Sequence, residues 1–88
     1  MNGYKPLIRK CLSSYIHTFR KEHTLTQEEM AERLHISSRA YSDLERGKYS
    51  LYAATLLFLL LMLNENELKD FLSRFQRAFH SFEHKEVA

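Results

Sequence analysis

The 88 residues carry 13 Lys and Arg against 11 Asp and Glu, a net charge of +2, and 44% of them are hydrophobic. That allows one small domain, residues 1–88, with one modest core, and it excludes a broad polyanion-binding surface resting on net charge alone. A single cysteine, Cys11, excludes an intramolecular disulfide, and two Gly, one Pro and no strand-type alternation point to an all-helical chain.

Pro6 suits a first helical position. Leu7, Ile8, Cys11, Leu12, Tyr15, Ile16 and Phe19 follow it at helical spacing, which predicts a first helix ending near residues 22–24. Cys11 falls on that stripe and reads as a small buried hydrophobe. Thr26 then opens a capping box with Glu29, and Leu25 and Met30 stand at hydrophobic-staple spacing around it. Met30, Ala31 and Leu34 supply the apolar stripe of a second helix. Ser37 is a second cap, with Ile36 and Tyr41 again at staple spacing, and Tyr41 and Leu44 form the next apolar face. Gly47 is placed to stop that third helix. The link between the two, about residues 35–37, is so short that it forces a sharp angle over a pair spanning about 26–46.

Ser50 is the expected cap of a fourth helix over about 51–63. This is the longest apolar run, thirteen residues including Thr55, and it is well short of the roughly 18 needed to span a bilayer. With no apolar leader at the N-terminus, a reducing cytoplasm is the expected setting. A helix hydrophobic on all sides must be covered on all sides. Asn64 ends it, and Asn64 or Glu65 opens a fifth helix over about 65–84. There Leu68, Phe71, Leu72, Phe75, Phe79 and Phe82 make a stripe longer than a four-helix core could cover. Homodimerisation through the fourth and fifth helices is therefore expected, with Phe58, Leu59, Met62, Phe75, Phe79 and Phe82 at the interface. The alternative is that the stripe folds back on the first helix.

Two short helices joined this tightly have one dominant use, which is to place the second in the major groove of DNA. The stretch TLTQEEMAERLHISSRAYSDLERGKYS, residues 24–50, resembles the helix-turn-helix of the lambda-repressor-like (Cro/repressor, XRE) DNA-binding domains. Arg20, Leu25, Thr26, Gln27, Glu28, Ala31, Leu34, Ile36, Ser37, Leu44, Glu45, Gly47 and Lys48 carry the likeness, which runs over roughly residues 12–63. It implies a five-helix lambda-repressor-like domain, here with a long C-terminal fifth helix. It also implies base-reading positions at Ser38, Arg39, Ser42 and Asp43, phosphate contacts at Gln27, Lys48 and Tyr49, and a structural ion pair between Arg20 and Glu45. Arginine can donate twice to guanine, and a carboxylate can accept from cytosine. Asp43 could instead orient Arg39 one helical turn away. Three positions depart from the family pattern. His35 stands where Gly is common in the turn, Tyr41 replaces an Ile or Val and brings a hydroxyl that needs a partner, and no Pro starts the fourth helix.

Charge is placed accordingly. Residues 1–50 hold nine Lys or Arg against six Asp or Glu, and residues 51–88 hold four against five. His80 and His84 share a helix face but have no third metal ligand at convincing spacing. There is no Gly-rich phosphate loop and no nucleophile with a matched base, so neither an enzyme nor a cofactor is expected. The expected function is a sequence-specific double-stranded DNA-binding regulator, a small dimeric repressor on a near-palindromic operator. A protein-interaction module of the same fold is the alternative. It draws on the low net charge, on Asp43 in the reading face and on the apolar surplus after Leu51.

Overall fold

Five helices follow one another as α1 (Tyr4–Glu22), α2 (Gln27–Leu34), α3 (Ser38–Glu45), α4 (Ala53–Leu61) and α5 (Glu65–Val87). The computed structural model describes residues 3–48 and 51–87, with side chains as far as residue 84, and among them there is no strand. Tyr49 and Ser50, expected as a phosphate contact and a helix cap, lie outside the described residues. Pro6 is the third helical residue rather than the first, because α1 starts at Tyr4 behind Gly3. The first four helical amides have no partner within a helix, so the ring still forfeits nothing there.

The α1 stripe delivers Leu12, Tyr15, Ile16 and Phe19 to the core. They meet Met30, Ala31 and Leu34 of α2, Tyr41 and Leu44 of α3, Leu59 of α4 and Phe71 of α5. Cys11 is only half-buried at the edge of this core.

One termination device closes each of the first three helices. The chain passes through a left-handed residue, Thr24 (φ 51°), His35 (φ 60°) and Gly47 (φ 73°) in turn. At each, two amides return to carbonyls of the last turn: Thr24 to Lys21 and Leu25 to Arg20, His35 to Glu32 and Ile36 to Ala31, Gly47 to Leu44 and Lys48 to Asp43. This is the Schellman pattern. Glycine meets it without strain at only one of the three sites. His35 is compensated by its ring, which lies 4.1 Å from that of Phe58 and fastens the turn to α4. Thr24 is β-branched, and a positive φ is costly for it.

The corner between α2 and α3 is fixed from below by one carboxylate. The Glu45 side chain is 6% exposed. It accepts from Arg20 Nε at 2.6 Å and Nη2 at 3.0 Å, from Gln27 Nε2 at 3.1 Å and from the Tyr41 hydroxyl, and it meets His17 Nδ1 at 3.0 Å. Arg20 also donates to the Leu25 carbonyl at 3.0 Å. α1, both ends of the helix-turn-helix and the α1–α2 connection thus converge on one group, and the Tyr41 hydroxyl finds its partner there. Burial pushes the Glu45 carboxyl up, but the bonds from Arg20, Tyr41, His17 and Gln27 outweigh it and bring it down to about 2.

α4 is shorter than the apolar run. Its first residue is Ala53, and the preceding Tyr52 has extended backbone and gives no side-chain cap. The cap expected from Ser50 therefore falls at Tyr52. At the other end Asn64 closes a capping box: its Oδ1 accepts from the Glu67 amide at 2.8 Å, and Glu67 accepts from the Asn64 amide at 3.0 Å. This device separates α4 from α5 within an otherwise continuous helical pattern.

α5 runs antiparallel to α1. The Tyr4 ring lies 5.3 Å from Phe79 and 4.9 Å from Phe82, Phe71 meets Tyr15 edge-on at 4.9 Å, and His23 pairs with Glu67 at 2.7 Å. Gly3 lets the two helices approach closely at the far end, where a Cβ would come within 2.6 Å of the tip of the Phe82 ring and push it aside. Of the expected dimer residues one is corrected, since Leu59 is fully buried. Phe58, Met62, Phe75, Phe79 and Phe82 are half-buried, with Phe58 beside His35, Phe79 stacked on Tyr4 and Phe82 tilted against it. A 23-residue α5 is long enough to lay its rings along the whole of α1. The large apolar side chains left in solvent are Tyr52 (79% exposed) just before α4, Leu57 (57%) and Leu61 (73%) on α4, and Leu68 and Leu72 on α5.

Two outcomes follow from these contacts. Thr24→Gly relieves a left-handed β-branched residue and raises the unfolding free energy by up to about 1 kcal/mol, read as a higher thermal midpoint by circular dichroism. Glu45 has a folded-state pKa below its ordinary 4.5, so its contribution is complete above that value and drains away as pH falls toward 2. A displacement of this size corresponds to about 3 kcal/mol. Urea midpoints taken from pH 6 to pH 2.5 should fall steeply over this range, and Glu45→Gln should flatten that acid limb.

Candidate nucleic-acid interface

α3 owes its position to three local choices. The Ser37 hydroxyl accepts from the Ala40 amide at 3.0 Å and starts the helix. Tyr41 and Leu44 are buried and orient it. Gly47 ends it. With those two side chains facing inward, helical periodicity turns residues 38, 39, 42 and 43 to the other side. Ser38 and Arg39 are exposed, and Ser42 and Asp43 are half-buried. The four base-reading positions expected from the sequence therefore share one outward face on an eight-residue helix.

Their chemistry differs from expectation at one place. Asp43 does not hold Arg39. Its Oδ1 takes Arg46 Nη2 at 2.9 Å and lies 3.8 Å from Lys48 Nζ. Arg46 reaches the carboxylate by its i,i+3 helical spacing, and the Schellman turn after it carries Lys48 back past the last turn of α3. Arg39 makes no hydrogen bond or ion pair among the described residues, so its five donors stay open to a ligand. Arg46 was not among the residues singled out in the sequence. Its i,i+3 spacing from Asp43 was the available signal.

The phosphate candidates also separate. Lys48 is exposed beyond α3. Gln27 is the first residue of α2, but its side-chain amide is given to Glu45, leaving its carbonyl oxygen and the backbone at that helix start to face outward. The Thr26–Glu29 capping box is complete, at 2.8 and 3.1 Å, and consumes the Glu29 amide. Bonds from the Thr26 backbone and side chain hold the Glu29 carboxyl below its ordinary range. Glu28 and Glu29 in this first turn set a negative field beside the dipole's positive end, so a phosphate there meets mixed electrostatics. The cations around α3, Arg39, Arg46 and Lys48, are the stronger anion-facing group.

His17 completes the Glu45 cluster and was missed in the sequence. It sits three residues before Arg20 on α1, the spacing that puts both on one side of a helix. His80 and His84 do come together, with ring centres 4.1 Å apart, but among the described residues no group of three or more His, Cys, Asp or Glu is placed to hold a metal ion. No helix among them is long and apolar enough to cross a membrane.

Comparison with known proteins agrees with this geometry. No curated protein and no solved structure matches the chain. A family model described as helix-turn-helix matches residues 16–67, from the middle of α1 to the start of α5 and more than half of the 88 residues. The chain therefore belongs to the lambda-repressor-like (XRE) helix-turn-helix family, a family of DNA-binding transcription regulators.

Proposed function

We propose that the protein is a sequence-specific double-stranded DNA-binding repressor that lays α3 in the major groove. The observation that carries this reading is the outward face of α3, with an unpartnered Arg39 on a helix whose inward face is locked by Tyr41, Leu44 and the Glu45 cluster. In this reading Arg39 donates to O6 and N7 of a guanine, and Ser38 and Ser42 contact neighbouring edges. Asp43 is the least suited of the four to read a base, because its oxygen is shared with Arg46 and Lys48. Gln27, Lys48 and Tyr49 hold phosphates and set the register. A cytoplasmic setting goes with this role.

The same reading takes two copies to a near-palindromic operator, with half-sites about 34 Å apart. Support comes from Leu57, Leu61, Leu68 and Leu72, an apolar surface on α4 and α5 that the protomer leaves in water. A protein-interaction role without DNA would use the same leucines and would show no salt-dependent affinity for duplex.

Selection of bound duplexes from a random pool reports binding, site symmetry and spacing together. Arg39→Ala should cost about 1–3 kcal/mol and relax one operator position, whereas Lys48→Ala should weaken all sequences alike and lower the salt slope by about one. Unchanged specific binding by Arg39→Ala overturns the assigned face. Light scattering at tens of micromolar should give the mass of two chains, and Leu61→Glu with Leu72→Glu should give one. A single-chain mass for the unaltered protein removes the dimer.

A further inference from the structure

A groove of about 400 Å³ runs between α1 and α5 and is not used in reading DNA. Its volume lies within the range of small-molecule sites. Leu7 and Tyr15 of α1 face Ala78 and Phe82 of α5, and each helix adds one cation, Lys10 and Arg74. Two hydroxyls and a thiol complete the lining, and none of the lining residues is acidic. The two cations are placed differently. Arg74 is steadied, with Nε held by Asp70 Oδ2 at 2.9 Å and its guanidinium carbon 5.6 Å from the centre of the Tyr15 ring. Its charge reaches the groove: burial pushes the Cys11 thiol up, and Arg74 pulls it the other way. The Lys10 side chain is exposed, and its ammonium has no partner among the described residues.

The ligand chemistry follows from this lining. An inorganic anion would satisfy the cations and leave the apolar walls in water. A neutral hydrocarbon would cover the walls and leave the Lys10 ammonium unmatched, since Arg74 is already paired with Asp70. We propose that the groove binds a small amphipathic carboxylate, with its apolar tail along Leu7, Ala78 and Phe82 and its carboxylate between Lys10 and Arg74. Burying the tail supplies most of the affinity, and the two cations select the sign of the head group.

Titrating the full chain with octanoate, and separately with octylammonium, tests this by amide proton–nitrogen correlation spectra. Octanoate should give saturable shifts centred on residues 7–15 and 74–82, and octylammonium should bind at least about tenfold more weakly. Lys10→Glu, a change at an exposed site, should keep the dispersed spectrum and lose about tenfold in octanoate affinity. Ala78→Leu should fill the groove and reduce the binding of both. Equal binding of the two amphiphiles, an octanoate affinity untouched by Lys10→Glu, shifts centred on the exposed leucines of α4 and α5, or no saturation would each overturn the proposal. None of these readings involves DNA, so they stand apart from the test of operator binding.

Discussion

The buried Glu45 carboxylate is the constraint on which the rest of the domain depends. A charge taken out of water is costly unless it is paired and its lone pairs are filled. Here the donors come from three helices, Arg20 and His17 of α1, Gln27 of α2 and Tyr41 of α3. Because each donor must reach the same two oxygens, the α2–α3 corner and its seat on α1 are set together. The outward face of α3 is the reverse side of this arrangement. A helix eight residues long has little rigidity from its own hydrogen bonds, so its direction is supplied from below. Displacing Glu45 would free the outward face of α3 to tilt without touching any residue on it.

The helix-turn-helix was legible because its signals are local. Thr26 with Glu29, Ser37 before Ala40, and Gly47 after the last turn each act within a few residues, and each does in the structure what its spacing announces. Thr24 was less legible as a left-handed residue, since such a φ disfavours a β-branched side chain, whereas His35 stands where Gly is common and is a type that tolerates it. Their positions are imposed by a termination pattern that the next helix requires. The face of α3 was readable from the burial of Tyr41 and Leu44. The approach of Lys48 to Asp43 was not, because it depends on how the chain turns after the helix has ended.

The second half of the chain shows the limit of periodicity. The phenylalanine stripe of α5 was correctly seen as a face needing cover, but a stripe does not state what covers it. The cover is α1, and the deciding contacts, Tyr4 with Phe79 and Phe82, join residues at opposite ends of the sequence. Leu59 could not be told from Leu57 or Leu61 in a run of leucines. Packing against the rest of the core fixes which of them points inward, with Thr55 and Leu59 buried one turn apart.

The α1–α5 clasp has a consequence for how the chain reaches its fold. Most helix contacts join near neighbours in sequence, whereas Tyr4 meets Glu83 across 79 positions. Long-range closures carry the largest loop entropy and are made late on that account. The buried contacts among α1, α2 and α3, by contrast, lie within residues 12–45 and close far shorter loops. Until α5 docks, Tyr4, Tyr15 and the phenylalanine rings remain in water together.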